Sequence, residues 1–169
     1  MSNLYLIRHG IAAERGTYQQ DEQRPLTPEG DRKTRQVALT LKQLKIQFHC
    51  ILSSPFVRAR QTAEILQSTG LSLNHEILPA LAPDGDIQQW LDWYGNHDKT
   101  REKDWALVGH QPDLGNWAEY LIWKKSEDVL IVKKAGIIGI KIPKQGMIQG
   151  NSRLFWLTAP KFLLGLNEG

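Results

Sequence analysis

Residues 1–169 are 41% hydrophobic and 23% charged, which is typical of a single soluble globular domain, and no apolar run is long enough to cross a membrane. The net charge of +3 comes from scattered lysines and arginines, which argues against nucleic-acid binding and suits an enzyme for anionic substrates. Cys50 has no second cysteine to pair with, and the N-terminal residues lack the pattern of a signal peptide; both features predict a cytoplasmic protein.

The first half of the chain predicts two buried strands, each followed by a helix. The first strand is the apolar run at 3–7, and the second is "CILSS" at 50–54. Thr27 is expected to be the N-cap of the first helix, because its hydroxyl can accept a hydrogen bond from the first turn. Ser54 is expected to cap the second helix in the same way, and Gly70 to end it.

The second half continues the alternation and then changes character. "LNHEIL" predicts a weaker third strand, Asp86 caps the helix after it, "WALVG" predicts a fourth strand, and Pro112 begins another helix. The last third contains two strand-like runs, "AGIIGIKIP" and "NSRLFWLTA", joined by the turn-rich "KQGMIQG". The whole pattern predicts an α/β fold with a mostly parallel sheet and a C-terminal antiparallel hairpin.

Polar side chains follow three of the predicted strands. Arg8 and His9 come directly after the first strand, Arg58 lies in the segment after the second, and His110 follows the fourth. Because the carboxyl ends of parallel strands line the ligand crevice of an open α/β sheet, we expect these side chains to meet. Two arginines, two histidines and nearby helix N-termini describe an anion site, and phosphate fits it best.

Two other chemistries are conceivable for this crevice, a metal site and a serine hydrolase. A metal site would draw on three candidate ligands: His9, His110 and Asp113. The fixed positive charges of Arg8 and Arg58 would repel a cation there, so the sequence predicts no metal. A serine hydrolase is also disfavoured, because neither Ser53 nor Ser54 lies in a nucleophile-elbow pattern.

Three motifs resemble those of the histidine phosphatase superfamily, which includes phosphoglycerate mutases and acid phosphatases. In chain order they are "LIRHG", "LSSPFVRARQTAE" and "ALVGHQP", and "RPLTPEG" matches a further segment. "SPFVRA" and "PALAPDGD" are similar to stretches of the phosphohistidine phosphatases of the SixA type. The resemblance covers residues 4–120 well and the hairpin only loosely. It implies a three-layer α/β/α, phosphoglycerate mutase-like fold.

The resemblance also implies a role for each residue of the crevice. His9 would be the nucleophile that becomes phosphorylated. Three residues would hold the transferring phosphoryl group: Arg8, Arg58 and His110. Arg24, in "RPLT", matches a position that supplies a further cation. No metal or organic cofactor is implied, and Gly10 permits a tight turn in which a backbone carbonyl orients the second ring nitrogen of His9.

A general acid is not evident in the sequence. Many relatives carry a glutamate after the third strand or an aspartate directly after the second histidine, but Gln111 occupies that second place. Each remaining candidate has another expected role, since Glu76 belongs to a strand, Asp84 to a turn and Asp86 to a helix cap. An alkoxide leaving group needs a proton from such an acid, whereas phosphohistidine can depart as neutral imidazole.

The sequence therefore predicts a phosphatase that acts on phosphohistidine of a protein, of the kind found in histidine-containing phosphotransfer domains. Its partner would be that phosphorylated protein, with no nucleic acid and no membrane involved. Two alternatives stay open. One is a small-molecule phosphomonoesterase or phosphoglycerate mutase-like enzyme, and the other is a phosphate-binding regulator without turnover.

Overall fold

The computed structural model describes residues 2–99 and 101–165. Within them it contains six strands: β1 (Ser2–Arg8), β2 (Cys50–Ser53), β3 (His75–Ile77), β4 (Trp105–Gly109), β5 (Ile137–Ile142) and β6 (Arg153–Thr158). The α-helices of the same residues are α1 (Pro28–Gln43), α2 (Val57–Ser68), α3 (Ile87–His97), α4 (Asp113–Trp123) and α5 (Pro160–Leu164). No helix among them is both long enough and apolar enough to span a membrane.

The strands form one sheet in the order β3-β2-β4-β1-β5-β6. The first four of these are parallel, β5 runs antiparallel to β1, and β6 runs antiparallel to β5. Helices α3 and α4 cover one face, and α1, α2 and α5 cover the other, each over its own hydrophobic core. The predicted three-layer fold with a mostly parallel sheet and a C-terminal hairpin is confirmed.

Strand β1 lies between β4 and β5, which explains its unbroken apolar sequence. Leu4 and Leu6 face the core beneath α3 and α4, while Tyr5 and Ile7 face the core beneath α1 and α2. A strand buried on both faces needs apolar residues at every position rather than at alternate ones. At its carboxyl end the strand leaves both hydrophobic cores, to which Arg8 and His9 do not belong.

The strand register brings the polar segments to one edge of the sheet. Arg8 is paired with Gly109, and Ser53 with Val108, so β1, β2 and β4 end side by side. Helix α1 begins as expected, with the Thr27 hydroxyl accepting a hydrogen bond from the Gly30 N–H at 3.0 Å.

The expected capping of α2 by Ser54 is wrong. The helix begins at Val57 with Phe56 as its N-cap residue, and no side chain caps it. The Ser54 hydroxyl accepts a hydrogen bond from the Phe56 N–H at 3.2 Å and bonds Nε2 of His110 at 2.8 Å. The hydroxyl therefore links the start of this segment to a histidine that follows a neighbouring strand, instead of capping the helix.

Candidate active site

A cavity of about 370 Å³ opens at the carboxyl edge of the parallel strands. It brings together all five residues expected there: Arg8, His9, Arg24, Arg58 and His110. It is also lined by residues that the sequence did not assign to it, among them Glu14, Arg15, Asp21 and Lys134. Glu76, Asp84 and Asp86 do not line it.

His9 is held by its own neighbour in the chain. It is 6% exposed, and its Nδ1 lies 2.7 Å from the Gly10 carbonyl oxygen. Burial lowers the pKa of His9 well below 6.5, and the nearby His110, Arg58 and Arg8 lower it further, although the Gly10 hydrogen bond opposes them. The ring is therefore neutral with its proton on Nδ1, and the unprotonated Nε2 carries the lone pair that can act as a nucleophile.

Gly10 is required for close packing rather than for a special turn. Its φ angle is not positive, but a Cβ at this position would lie 2.4 Å from the Thr34 hydroxyl oxygen on α1. Its N–H also donates to the Thr62 hydroxyl of α2 at 3.0 Å. The absence of a side chain lets α1 approach the chain directly after His9.

Asp21 joins two of the arginines, and sequence analysis missed it. Arg58 donates from both terminal nitrogens to Asp21, to its carbonyl oxygen at 2.8 Å and to Oδ2 at 3.0 Å. Arg24 Nε donates to Oδ1 at 2.7 Å. Burial raises the pKa of Asp21, but the hydrogen bonds from Arg24 and Arg58 outweigh it and lower the pKa overall. Asp21 is thus an ionised bridge that fixes both guanidinium groups.

This bridge leaves the third nitrogen of Arg58 facing the nucleophile. Arg58 is 3% exposed, and its Nε donates to Nε2 of His9 at 3.3 Å. Arg8, which also lines the cavity, donates from one terminal nitrogen to the Val132 carbonyl at 3.1 Å. Both guanidinium groups are therefore fixed by protein acceptors in the cavity that holds His9, where they can neutralise an anion.

His110 is oriented by the hydroxyl of Ser54. Burial lowers the pKa of His110 to about 3, with the nearby Arg58 guanidinium as the next cause. A neutral ring that accepts the Ser54 hydroxyl proton at Nε2 carries its own proton on Nδ1. That Nδ1 is buried and has no hydrogen-bond partner among the described residues. Buried donors without partners are rare unless a ligand satisfies them.

The neutral state of His110 predicts a loss of stability in acid. Its pKa is about 3 in the folded protein, so below the ordinary value of about 6.5 the unfolded chain binds a proton that the folded protein excludes. Between about pH 7 and pH 5 this group is expected to lower the free energy of unfolding by about 2 kcal/mol. Urea denaturation at both pH values measures the drop, and His110→Asn should reduce it by that amount. An equally steep drop in the variant would contradict a neutral His110.

The structure does not unite the three candidate metal ligands. The Asp113 carboxylate accepts a hydrogen bond from the Asp84 N–H at 2.9 Å and does not line the cavity. Across residues 2–99 and 101–165, no three histidine, cysteine or carboxylate side chains form a group suited to a metal ion. What the cavity offers is a neutral buried imidazole among fixed guanidinium groups, which is a setting for transfer of an anionic group.

Comparison with known proteins shows which family this chain resembles. The model of the histidine phosphatase superfamily (branch 1) matches residues 4–108. An uncharacterized protein of Picosynechococcus sp. (strain ATCC 27264 / PCC 7002 / PR-6) is 45% identical over 163 residues, 95% of this chain and 98% of its own length. The phosphohistidine phosphatase SixA of Escherichia coli (strain K12) is 39% identical over 85 residues, 50% of this chain and 52% of its own.

Solved structures show the same likeness over the whole fold. The protein histidine phosphatase SixA, complexed with tungstate, superposes with a TM-score of 0.83 at 26% identity, covering 95% of this chain and 99% of its own. A putative SixA from Agrobacterium tumefaciens, at 23% identity, superposes with a TM-score of 0.73 over 94% of this chain and 98% of its own. The second match supports the fold alone.

Proposed function

Since this chain belongs to the histidine phosphatase superfamily, we propose that it removes phosphate from phosphohistidine on a partner protein, by way of a phosphohistidine formed on His9. The likeness to SixA proteins supports this substrate class, and the tungstate bound by one of them supports a site for phosphate. The observation that carries the proposal is the neutral, buried His9, whose unprotonated Nε2 lies 3.3 Å from Nε of Arg58.

The first step transfers the phosphoryl group from the substrate histidine to His9. Nε2 of His9 forms the new N–P bond while the N–P bond of the substrate breaks, and the substrate leaves as a neutral imidazole if its other nitrogen already carries a proton. The Gly10 carbonyl, 2.7 Å from Nδ1, accepts the hydrogen bond that strengthens as positive charge develops on the ring. Arg8, Arg58 and the Nδ1–H of His110 neutralise the oxygens of the transferring group.

The second step returns His9 to its starting state. A water molecule attacks phosphorus, the N–P bond breaks, and its electrons return to Nε2 while Nδ1 keeps its proton. The proton lost by water goes to the phosphate oxygens or to bulk solvent. Neither step requires a metal or an organic cofactor, because the charges are met by arginines already fixed in place by Asp21 and Val132.

The carboxylates of the cavity support phosphohistidine over an alkyl phosphate. Asp21 is ionised and held by two arginines, so it is a poor proton donor. Glu14 lies at the exposed rim and is the remaining carboxylate that lines the cavity. A phosphohistidine substrate needs no proton from either, whereas an alkoxide leaving group gains about a hundred- to ten-thousand-fold from a general acid.

Glu14 is also the observation that favours the second candidate, a small-molecule phosphomonoesterase. Its side chain has no hydrogen-bond or ion-pair partner in the described part of the chain, so it is free to approach a leaving group. In that case Glu14 would protonate the departing alkoxide. The two candidates differ in how the rate depends on the leaving group.

Leaving-group selectivity tests the proposed function. We expect wild-type protein to hydrolyse a phosphohistidine protein and p-nitrophenyl phosphate well, and phosphoserine or phosphoglycerate at rates lower by about a hundred-fold or more. Glu14→Gln should change phosphohistidine turnover by less than about ten-fold, which is below the contribution of a general acid. Initial rates of phosphate release measure both effects, with Glu22→Gln as a control that alters an exposed carboxylate outside the cavity.

The opposite pattern identifies the other enzyme. Good wild-type turnover of an alkyl phosphate, with a selective loss of that activity in Glu14→Gln, would show that Glu14 is a general acid and that the substrate is a small phosphomonoester. A protein that binds phosphate tightly and releases none from any of these substrates would be a regulator without turnover.

A further inference from the structure

A second cavity of about 510 Å³ adjoins the active site and shares Arg8 and Lys134 with it. Four lysines border it: Lys33, Lys133, Lys134 and Lys161. Apolar side chains form much of the remaining lining: Ile11, Ala135, Ala159, Pro160 and Leu164. We call this cavity the lysine groove. It lies between the first turns of α1, the turn that precedes β5, and the start of α5.

The positive charge of the lysine groove is largely uncompensated. None of its lining residues is acidic. Lys33 is paired with Glu29 at 2.8 Å, but no carboxylate of the described residues forms an ion pair with Lys133, Lys134 or Lys161. With 21 basic and 18 acidic residues in the chain, composition alone does not account for this concentration of one sign on one surface.

Backbone hydrogen bonds fix the turn that carries two of these lysines to the active site. The Ala135 N–H lies 3.1 Å from the carbonyl oxygens of both Arg8 and His9, and the Arg8 N–H donates to the Gly136 carbonyl at 3.1 Å. The backbone directly after Lys133 and Lys134 is thereby held against the residues of the nucleophile. Burial lowers the pKa of Lys134, and the nearby arginines lower it further, with Arg8 as the first of them. Several cations therefore lie close together where the two cavities meet.

We propose that the lysine groove binds an acidic segment of the phosphorylated substrate protein, one that carries apolar side chains among its carboxylates. This inference rests on the proposed function. The lysines supply charge for the carboxylates, and the apolar lining supplies surface for the apolar side chains, which a free phosphate ion would leave unused. Because Arg8 lines both cavities, a segment in the groove lies next to a phosphoryl group held at His9.

Direct binding tests the inference without requiring turnover. The probe is a fluorescent, unphosphorylated peptide of alternating glutamate and leucine, whose anisotropy is followed at low salt. We expect the variant Lys133→Ala/Lys161→Ala to bind it more weakly by about five-fold or more, because two ion-pair partners are lost. The control Lys42→Ala/Lys99→Ala removes the same charge from exposed positions outside the groove and should bind like wild type.

Steady-state kinetics of the same variant provide a second test. In Lys133→Ala/Lys161→Ala, KM for a phosphohistidine protein with acidic flanking residues should rise by a similar factor, while kcat/KM for p-nitrophenyl phosphate stays within about two-fold. Equal binding of the peptide by wild type and both variants would overturn the inference, as would equal competition by inorganic phosphate or by an oligonucleotide of the same charge. Failure of the proposed function is a separate result, namely no phosphohistidine turnover in wild type while peptide binding still depends on Lys133 and Lys161.

Discussion

Replacement of His9 by alanine is expected to abolish turnover while leaving the fold intact. The substitution removes the nucleophile of both proposed steps, so the rate should fall by at least about ten-thousand-fold, even for an activated aryl phosphate. The fold should survive because, among the described residues, the His9 ring forms hydrogen bonds with the Gly10 carbonyl and Arg58 alone, and Arg58 keeps both of its bonds to Asp21. Rates and thermal unfolding of the purified variant measure the two expectations.

The intermediate can be trapped in the wild-type protein. Rapid quenching with a labelled phosphohistidine substrate, followed by peptide mapping under alkaline conditions, should place the label on His9. His49→Ala is the matched control, because His49 is exposed and precedes β2, at the opposite end of the sheet from the cavity. It should keep full activity and full labelling. Label on another residue, or substantial activity in His9→Ala, would show that His9 is not the nucleophile.

The sheet and the strand-end residues could be predicted because each rests on a short stretch of sequence. Arg8 is the last residue of β1, and His9 and His110 directly follow β1 and β4. A parallel sheet gathers such ends at one edge, whatever the rest of the chain does. The expected carbonyl partner for the second nitrogen of His9 is also present, as the Gly10 carbonyl oxygen.

Asp21 and Ser54 could not be assigned because their roles depend on contacts between distant segments. Asp21 lies in a short helical turn with no motif, and its importance comes from Arg58, which is 37 residues away in the chain. The Ser54 hydroxyl meets His110 across 56 residues. The proline after Ser54 predicted a helix cap, because Ser-Pro is a typical local signal for the start of a helix. Such a local signal carries no information about which residue of another strand lies opposite the hydroxyl.

The lysine groove was missed for a similar reason. Lys33 lies in α1, Lys133 in the segment before β5 and Lys161 in α5, and none of these segments forms a basic run of the kind that marks an anion-binding surface in sequence. Their charges lie close together only in the folded protein. A sequence pattern can therefore predict functional residues at the end of one strand, whereas a binding surface built from three separate segments becomes visible only in the structure.

Replacement of Arg58 by alanine should give the second large loss of activity. Arg58 is the buried guanidinium next to Nε2 of His9, so it faces the charge that develops on the transferring phosphoryl group. Loss of such a partner is expected to lower kcat by about a hundred-fold or more. Arg35→Ala, which removes an exposed arginine paired with Asp31 on α1, is the matched control and should leave kcat unchanged.

Arg58→Lys separates the geometry of the guanidinium from its charge. Arg58 donates in three directions, to two oxygens of Asp21 and to His9. A lysine ammonium is a compact point charge and cannot reproduce this planar fork, so it should restore only part of the lost rate. Arg24→Ala should cost less, because Arg24 donates to Asp21 and to the Ala13 carbonyl and makes no bond to His9. Full activity in Arg58→Lys would mean that Arg58 acts only through its net charge, and the Asp21 bridge would then have no part in orienting the phosphoryl group.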